Sequence, residues 1–395
     1  MATNMREVMM MRYATKAENR QGAFDSILWL SLAVVLVLGL VMMYSASIST
    51  ADRIHGDALY FFNRQLVFML LGLIASMIVF VMPFSFWQSV GPLLLVLSIL
   101  LLALILIPGI GKTINGSTRW LNLGFASVQI SEMVKLFMIL YMAGYLNRHL
   151  EKVRDTWRGF MMPICVLALI ALLLLVEPDF GATVVVAVCV MTMLLLAGAR
   201  LRHFLIVFVL TVAAFIGLAV TSPYRMQRLS TFLDPWADPF NSGFQLSQSL
   251  IAFGRGEWLG VGLGDSVQKL FYLPEAHTDF VFAVLGEELG FVGVAFVILL
   301  YTMITWRALV IGRVAEKMDY QFRAYLAYGV GVWVGFQAFV NIGVNMGVLP
   351  TKGLTLPLMS YGGTSMVVSI VTIAFLVKVD LSNRRLIAEK GQLKL

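Results

Sequence analysis

Long apolar runs separated by brief polar punctuation dominate the chain. They recur near residues 24–46, 62–82, 88–108, 129–147, 159–177, 181–199, 204–222, 278–305, 324–346 and 361–380. A helix needs about 20 such residues to cross the hydrocarbon core. The pattern therefore predicts an all-α polytopic membrane protein with about ten transmembrane helices. Most connections are short, and Pro and Gly end helices in the hairpin Glu177-Pro178-Asp179-Phe180-Gly181, through a missing donor and a tolerated left-handed backbone. Two outer connections are longer: residues 109–128, rich in Gly and polar side chains, and 223–277, a large loop between helices seven and eight.

The large loop carries Trp236, Phe240, Phe244, Trp258, Phe271 and Tyr272, so it can pack, and long ordered loops are usually functional. Its 244–253 stretch has apolar residues at helical spacing and is expected to lie in the interface as a short amphipathic helix. Residues 347–365 break the apolar pattern, because Pro350, Gly353, Pro357, Gly362 and Gly363 cannot share one regular helix. Non-helical backbone at membrane depth is tolerated where protein buries it or where it lines a cavity. This segment is expected to dip beside the same outer-facing cavity as the large loop. The two halves of the chain show no internal symmetry, which disfavours a symmetric transporter.

Composition agrees: 59% of residues are hydrophobic and 13% charged, which excludes a string of soluble domains. The net charge of +7 has a topological cause rather than nucleic-acid binding. With ten spans and an inner N-terminus, inner segments hold 19 of the 29 Lys and Arg residues and outer segments nine, with Lys135 inside a span. By the positive-inside rule both termini are cytoplasmic. Residues 1–23 and 381–395 then form cytoplasmic tails around a membrane domain of residues 24–380. The first span reads as an uncleaved anchor, although Ser45-Ala46-Ser47 faintly resembles a cleavage site. Cys165 and Cys189 lie in apolar spans and support no disulfide framework.

Four polar clusters collect toward the outer face: Lys112 with Arg119-Trp120, Glu132 with Lys135, His277 with Asp279, and Thr351-Lys352 with Ser360. Ionisable groups in or against a bilayer are costly and tend to mark function. Each cluster also has a structural reading. Glu132 and Lys135 are spaced to pair on one helical face. Lys112 and Arg119 suit lipid headgroups, and Trp120 suits an aromatic belt. Asp279 suits a helix N-terminus, but a partly desolvated aspartate beside a histidine and cations also makes a tuned general base. Glu287 does not pair with it for acid–base work. Eight residues of helix rise about 12 Å, beyond the roughly 5–9.5 Å of paired glycosidase carboxylates. Glu287 and Glu288 are instead expected to accept hydrogen bonds from neighbouring helices. Gly331 and Gly335 form a GxxxG spacing, usable for packing within the chain or for docking a partner's helix.

Five segments carry a family resemblance: YLPEAHTDFVFAVLGEELG (272–290), LPTKGLTLPLMSYGGTS (349–365), GSTRWLNLG (116–124), SEMVKL (131–136) and EPDFGAT (177–183). The first two are very specific. Together they make the chain resemble the SEDS family (shape, elongation, division and sporulation proteins) over about residues 24–380. Thr351-Lys352 before Gly353 resembles the division branch rather than the elongation branch; Thr364, where Ser is common, is a mild departure. The resemblance implies an inner-membrane enzyme at the division septum that polymerises lipid II on the periplasmic face. It puts the catalytic aspartate on Asp279. It also puts substrate-binding positions on Arg119, Trp120, Glu132 and Lys135, with weaker support for Lys352, and the outer-face clusters add His277 and Ser360 as substrate-binding candidates. The implied partners are a class B transpeptidase (FtsI), engaged through its single membrane helix, the division proteins FtsQ, FtsL, FtsB and FtsN, and membrane lipids; nucleic acid is not among them.

The chemistry fits these residue types. A diphosphate is already a good leaving group, so cations aimed at its developing charge suffice. One aspartate can take the proton of the acceptor hydroxyl as it attacks the anomeric carbon, turning an α-linked donor into a β-1,4 product. A divalent cation, Mg or Mn, bridging Asp279 and the diphosphate is compatible with this scheme, but no ligand cluster demands it. Two other classes of function compete: a lipid II flippase or transporter, and a non-catalytic division scaffold.

Overall fold

The structure is a computed structural model that describes residues 24–114, 117–122, 127–221, 223–351 and 353–392. A helix lies on each predicted apolar stretch. In chain order these are α1 (Ser26–His55), α2 (Tyr60–Val81), α3 (Phe84–Ile105), α4 (Ile130–Asp155), α5 (Trp157–Val176), α6 (Phe180–Leu196) and α7 (Leu201–Val220). The large loop adds α8 (Pro223–Leu233) and α9 (Phe244–Gly256), and the bundle closes with α10 (Val281–Lys317), α11 (Gln321–Asn345) and α12 (Gly363–Gln392). Eight of the described helices are long and apolar enough to cross a membrane. The other two on predicted stretches are α6, which has 17 residues, and α4, which carries Glu132, Lys135 and Arg148. Burial orders the bundle: 72% of the most apolar stretch of α11 lies inside the protein, against 6% for α7. Thus α11 is central and α7 faces lipid.

The described residues of the first long outer connection form a three-stranded antiparallel sheet of β1 (Gly111–Ile114), β2 (Ser117–Asn122) and β3 (Ser127–Gln129). Thr113, Ile114, Trp120 and Val128 favour strands, and their short alternation is easily lost among the neighbouring glycines. The register sets Trp120 opposite Lys112 on one side and Gln129 on the other. Gln129 leads directly into α4, and its amide donates to Thr364 Oγ1 at 3.0 Å. The sheet thereby fixes Arg119 at the rim of the bundle.

The α10 helix is interrupted at Gly290, whose backbone (φ 63°, ψ −165°) occupies a region open essentially only to glycine. The break deprives the amides of Phe291 and Val292 of the carbonyls four residues earlier, those of Glu287 and Glu288. The large loop replaces them reciprocally. Phe291 N donates to Glu257 O (2.9 Å) and Val292 N to Trp258 O (3.1 Å). The vacated carbonyls of Glu287 and Glu288 accept from Val261 N (3.0 Å) and Gly262 N (3.2 Å). Unsatisfied backbone is expensive beside lipid, and these four bonds splice residues 257–262 into the helix.

The side chains reinforce the splice, in the structural role expected for them. Glu287, fully buried, accepts from Arg255 (2.9 Å), Ser266 and the amides of Val267 (3.1 Å) and Gln268 (3.2 Å). Glu288 accepts from Ser45 (2.6 Å) and Lys269 (2.8 Å). A Cβ on Gly290 would lie 2.3 Å from Gly260 N. Gly290→Ala should therefore cost on the order of 3 kcal/mol or more, from forbidden backbone and overpacking together. The readout is apparent Tm in nanodiscs, and a wild-type Tm would contradict the splice.

The expected helix in the large loop is present as α9, and it packs on α10: Gly256 approaches Gly286 so closely that a Cβ would fall 2.0 Å from its carbonyl oxygen. Ser249 Oγ also donates to Asn345 O at 2.7 Å. Small residues on one face (Ser249, Ala252, Gly256) favour helix contact over lipid. Gly331 and Gly335 are likewise occupied within the chain, because added Cβ atoms would lie 2.6 Å from Ala308 Cβ and 2.5 Å from Thr305 Oγ1. At the opposite end of the bundle, buried Asp25 pairs with Arg307 and with Arg384. Asn383 Nδ2 donates to Ile311 O at 3.0 Å, so residues 381–392 continue α12 along α10 instead of forming a separate tail.

Candidate active site

Asp279 ends the large loop two residues before α10. It does not cap that helix: Phe280 is the N-cap, and no side chain bonds there. What fixes Asp279 is its backbone. Its carbonyl accepts from Asn341 Nδ2 and Asn345 Nδ2, each at 2.9 Å. Asn345 Oδ1 also accepts the Ala283 amide at 3.0 Å. Two amide side chains one turn apart on the central helix thus clamp the start of α10. The carboxylate points to the irregular segment after α11, where a Cβ on Gly353 would lie 2.9 Å from Asp279 Oδ2. Only glycine lets the chain pass so close without displacing that oxygen.

That segment is irregular but satisfied. Asn341 Nδ2 donates to Leu354 O (2.6 Å), Gln337 Nε2 to Thr355 O (2.9 Å), Tyr301 to Pro357 O (2.5 Å) and Gln65 Nε2 to Ser360 O (3.1 Å). Trp333, Gln337, Asn341 and Asn345 recur every fourth residue, so α11 presents a polar ladder to the site. Amides spaced i, i+4, i+8 in an apolar helix are the signal that sequence reasoning overlooked.

The predicted residues separate into two groups. Arg119 joins Asp279 at the rim: its charge and that of Arg228 both act on the Asp279 carboxyl. Arg228, on α8, also donates to Thr351 O at 3.2 Å, and nothing in the sequence distinguished it from other loop cations. Trp120 is half-buried beside Arg119 on β2. His277 packs between Phe61 (4.6 Å between ring centroids) and Tyr361 (5.6 Å), and its carbonyl accepts the Tyr361 amide. Burial holds its imidazole below the ordinary histidine range, against the pull of Glu275.

The other group is interior. Lys135 is 2% exposed, and its Nζ donates to Glu132 Oε1 and to Gln337 Oε1, each at 2.7 Å, with Trp333 5.0 Å away. The expected Glu132–Lys135 pair is therefore present, and through Gln337 it braces the carbonyl of Thr355. Ser360 is 3% exposed and its Oγ accepts the Leu356 amide at 2.8 Å, closing a turn. Lys112 is exposed on β1. Lys352 lies outside the described residues.

Electrostatics tune the central carboxyl. Asp279 is half-buried; desolvation, and then the charge of Glu275, push it up to about 7 against Arg119 and Arg228. A carboxylate with that affinity is half ionised at neutral pH and matched to accept a proton. Among the described residues no three His, Cys, Asp or Glu side chains converge as a metal site. A divalent ion at Asp279 would draw most of its ligands from phosphate and water.

The model of the FtsW/RodA/SpoVE family, described as cell cycle protein, matches residues 25–385. The chain belongs to this family. It is 57% identical over 352 residues to the "Probable peptidoglycan glycosyltransferase FtsW" of Thioalkalivibrio sulfidiphilus, covering 89% of this chain and 88% of that one. It is 57% identical over 356 residues to the protein of the same name from Nitrosococcus halophilus, covering 90% and 92%. Among solved structures it is similar to a chain from work described as "Structural coordination of polymerization and crosslinking by a peptidoglycan synthase complex", with TM-score 0.73, 29% identity and coverage of 91% of this chain and 98% of that one. The rod shape determining protein RodA of Thermus thermophilus is similar at TM-score 0.66 and 27% identity, with the same coverage. This FtsW/RodA/SpoVE member is an integral membrane protein.

Proposed function

We propose that the chain is a division-type peptidoglycan glycosyltransferase that polymerises lipid II and releases undecaprenyl diphosphate. The observation that carries this reading is the Asp279 carboxyl, raised to about 7 and lying against Gly353 on a backbone held by α11, with the charges of Arg119 and Arg228 acting on it. In the reaction, Asp279 takes the proton from the acceptor's 4-hydroxyl as that oxygen attacks the anomeric carbon of the donor. The bond to diphosphate breaks on the opposite face, and Arg119 and Arg228 stabilise the departing negative charge. Trp120 lines the sugar path, and Lys352, which lies outside the described residues, is assigned to the substrate on the family resemblance alone. His277 shapes the acceptor side as a neutral ring. Lys135, Glu132 and Ser360 act on substrate through the segment they brace. Mg or Mn, where present, adds positive charge at the diphosphate.

The relatives' names and the synthase-complex likeness support this reading and a membrane-anchored class B transpeptidase as partner. Because Gly331 and Gly335 pack closely against α10, that partner docks on another face. The septum as the site of action and a periplasmic active site follow from the division branch and the charge pattern. The test is purified protein in vesicles with fluorescent lipid II, with and without the transpeptidase. A ladder of glycan products is expected; lipid II moved between leaflets without polymer would point to a transporter instead.

A further inference from the structure

The hairpin between α5 and α6 holds an acid that the reaction above does not use. Glu177 is 0% exposed, and neither of its carboxylate oxygens has a hydrogen-bond partner among the described residues. Asp179, two residues on, is 2% exposed; its Oδ1 accepts the Ala182 amide at 3.1 Å and lies 3.5 Å from Arg119 Nη1, while its Oδ2 has no partner among those residues. The charged groups acting on Glu177 are Asp179 from its own hairpin and Arg119 from β2. Arg119 acts in turn on Asp279, where Glu275 and Arg228 also act.

An ionised carboxylate buried away from solvent is strongly disfavoured, and a second negative charge beside Asp179 adds repulsion. Burial first, and Asp179 second, push the Glu177 carboxyl up to about 8, with Arg119 opposing. Near neutral pH Glu177 therefore adds no charge to the hairpin.

We infer that Glu177 is a positioning residue for polymerisation: buried two residues from the carboxylate that pairs with Arg119, it leaves that guanidinium balanced by Asp179 alone and directed at the donor diphosphate. The inference rests on the assignment of Arg119 to the diphosphate made above. Ionised, Glu177 would give the hairpin two charges and draw Arg119 inward, away from the substrate.

Glu177→Gln fixes the neutral state with little change of shape. Wild type and variant should be compared in lipid II polymerisation from about pH 6.5 to 9.5, the range that brackets the titration. In wild type, KM for lipid II should rise several-fold above pH 8 with little change in kcat; in the variant that rise should vanish. Apparent Tm gives a readout independent of activity. The unfolded glutamate ionises near 4.5, whereas the folded one keeps its proton to about 8. Between those values only the unfolded state has released the proton, so wild-type stability falls with rising pH across the window and levels off above it. The Tm advantage of Glu177→Gln should thus widen up to about pH 8 and then stay constant. An unchanged alkaline rise in KM in the variant, or a more than tenfold higher KM at pH 7, would overturn the inference. Wild type that makes no polymer would reject the underlying reading, and a widening Tm gap would then show that the fault lies there and not with the neutral acid.

Discussion

Asp279→Asn is expected to leave an assembled protein that makes no measurable glycan, a loss of about 10²–10⁴-fold from removing a general base. The substitution keeps the shape of the side chain. It also keeps the backbone carbonyl that Asn341 and Asn345 hold, so folding should survive. Wild-type activity should depend on pH with a definite sign. The carboxyl titrates at about 7, and only its ionised form accepts a proton. Polymerisation should therefore fall as pH drops below 7, to about a tenth of the ionised population one unit lower. Polymer made by the Asn variant, or a wild-type rate that is flat from pH 8 down to about 5.5, would remove this aspartate from the chemistry.

Gly353→Ala should cost nearly as much without touching a reactive group. Its Cβ would fall 2.9 Å from Asp279 Oδ2, and that oxygen is the far end of a side chain that can swing away. The fold should persist while the carboxylate moves by a few tenths of an ångström to an ångström, a displacement worth about 10²-fold in rate. The loss should appear in kcat, with apparent Tm close to wild type. Wild-type turnover in Gly353→Ala would mean that Asp279 does not act from this position. The pair of variants separates what the base does from where it is held.

These expectations drew unequally on sequence and structure. Apolar runs located every long helix, because a bilayer imposes length and hydropathy on any span. The same physics singled out Asp279, since a carboxylate at the lip of a span must be explained by something other than lipid. The Glu132–Lys135 pair was legible too, being local on one helix. The limits appear where partners are distant in sequence. The splice of residues 257–262 into α10 depends on four backbone bonds to positions that local patterning treats as ordinary helix. Lys135 resembled a substrate cation until Gln337, about 200 positions away, proved to hold it. Arg228, Glu177 and the amide ladder on α11 acquired their roles only when the loops converged.

Hydropathy and the spacing of charges thus located the apolar helices and singled out the acid at the lip of one of them. Tertiary structure alone decided the burial that raises that acid's proton affinity, the glycine against which it rests and which cations are held in the interior rather than near it. Desolvation and close approach are properties of space, and a linear chain does not encode distance between remote residues.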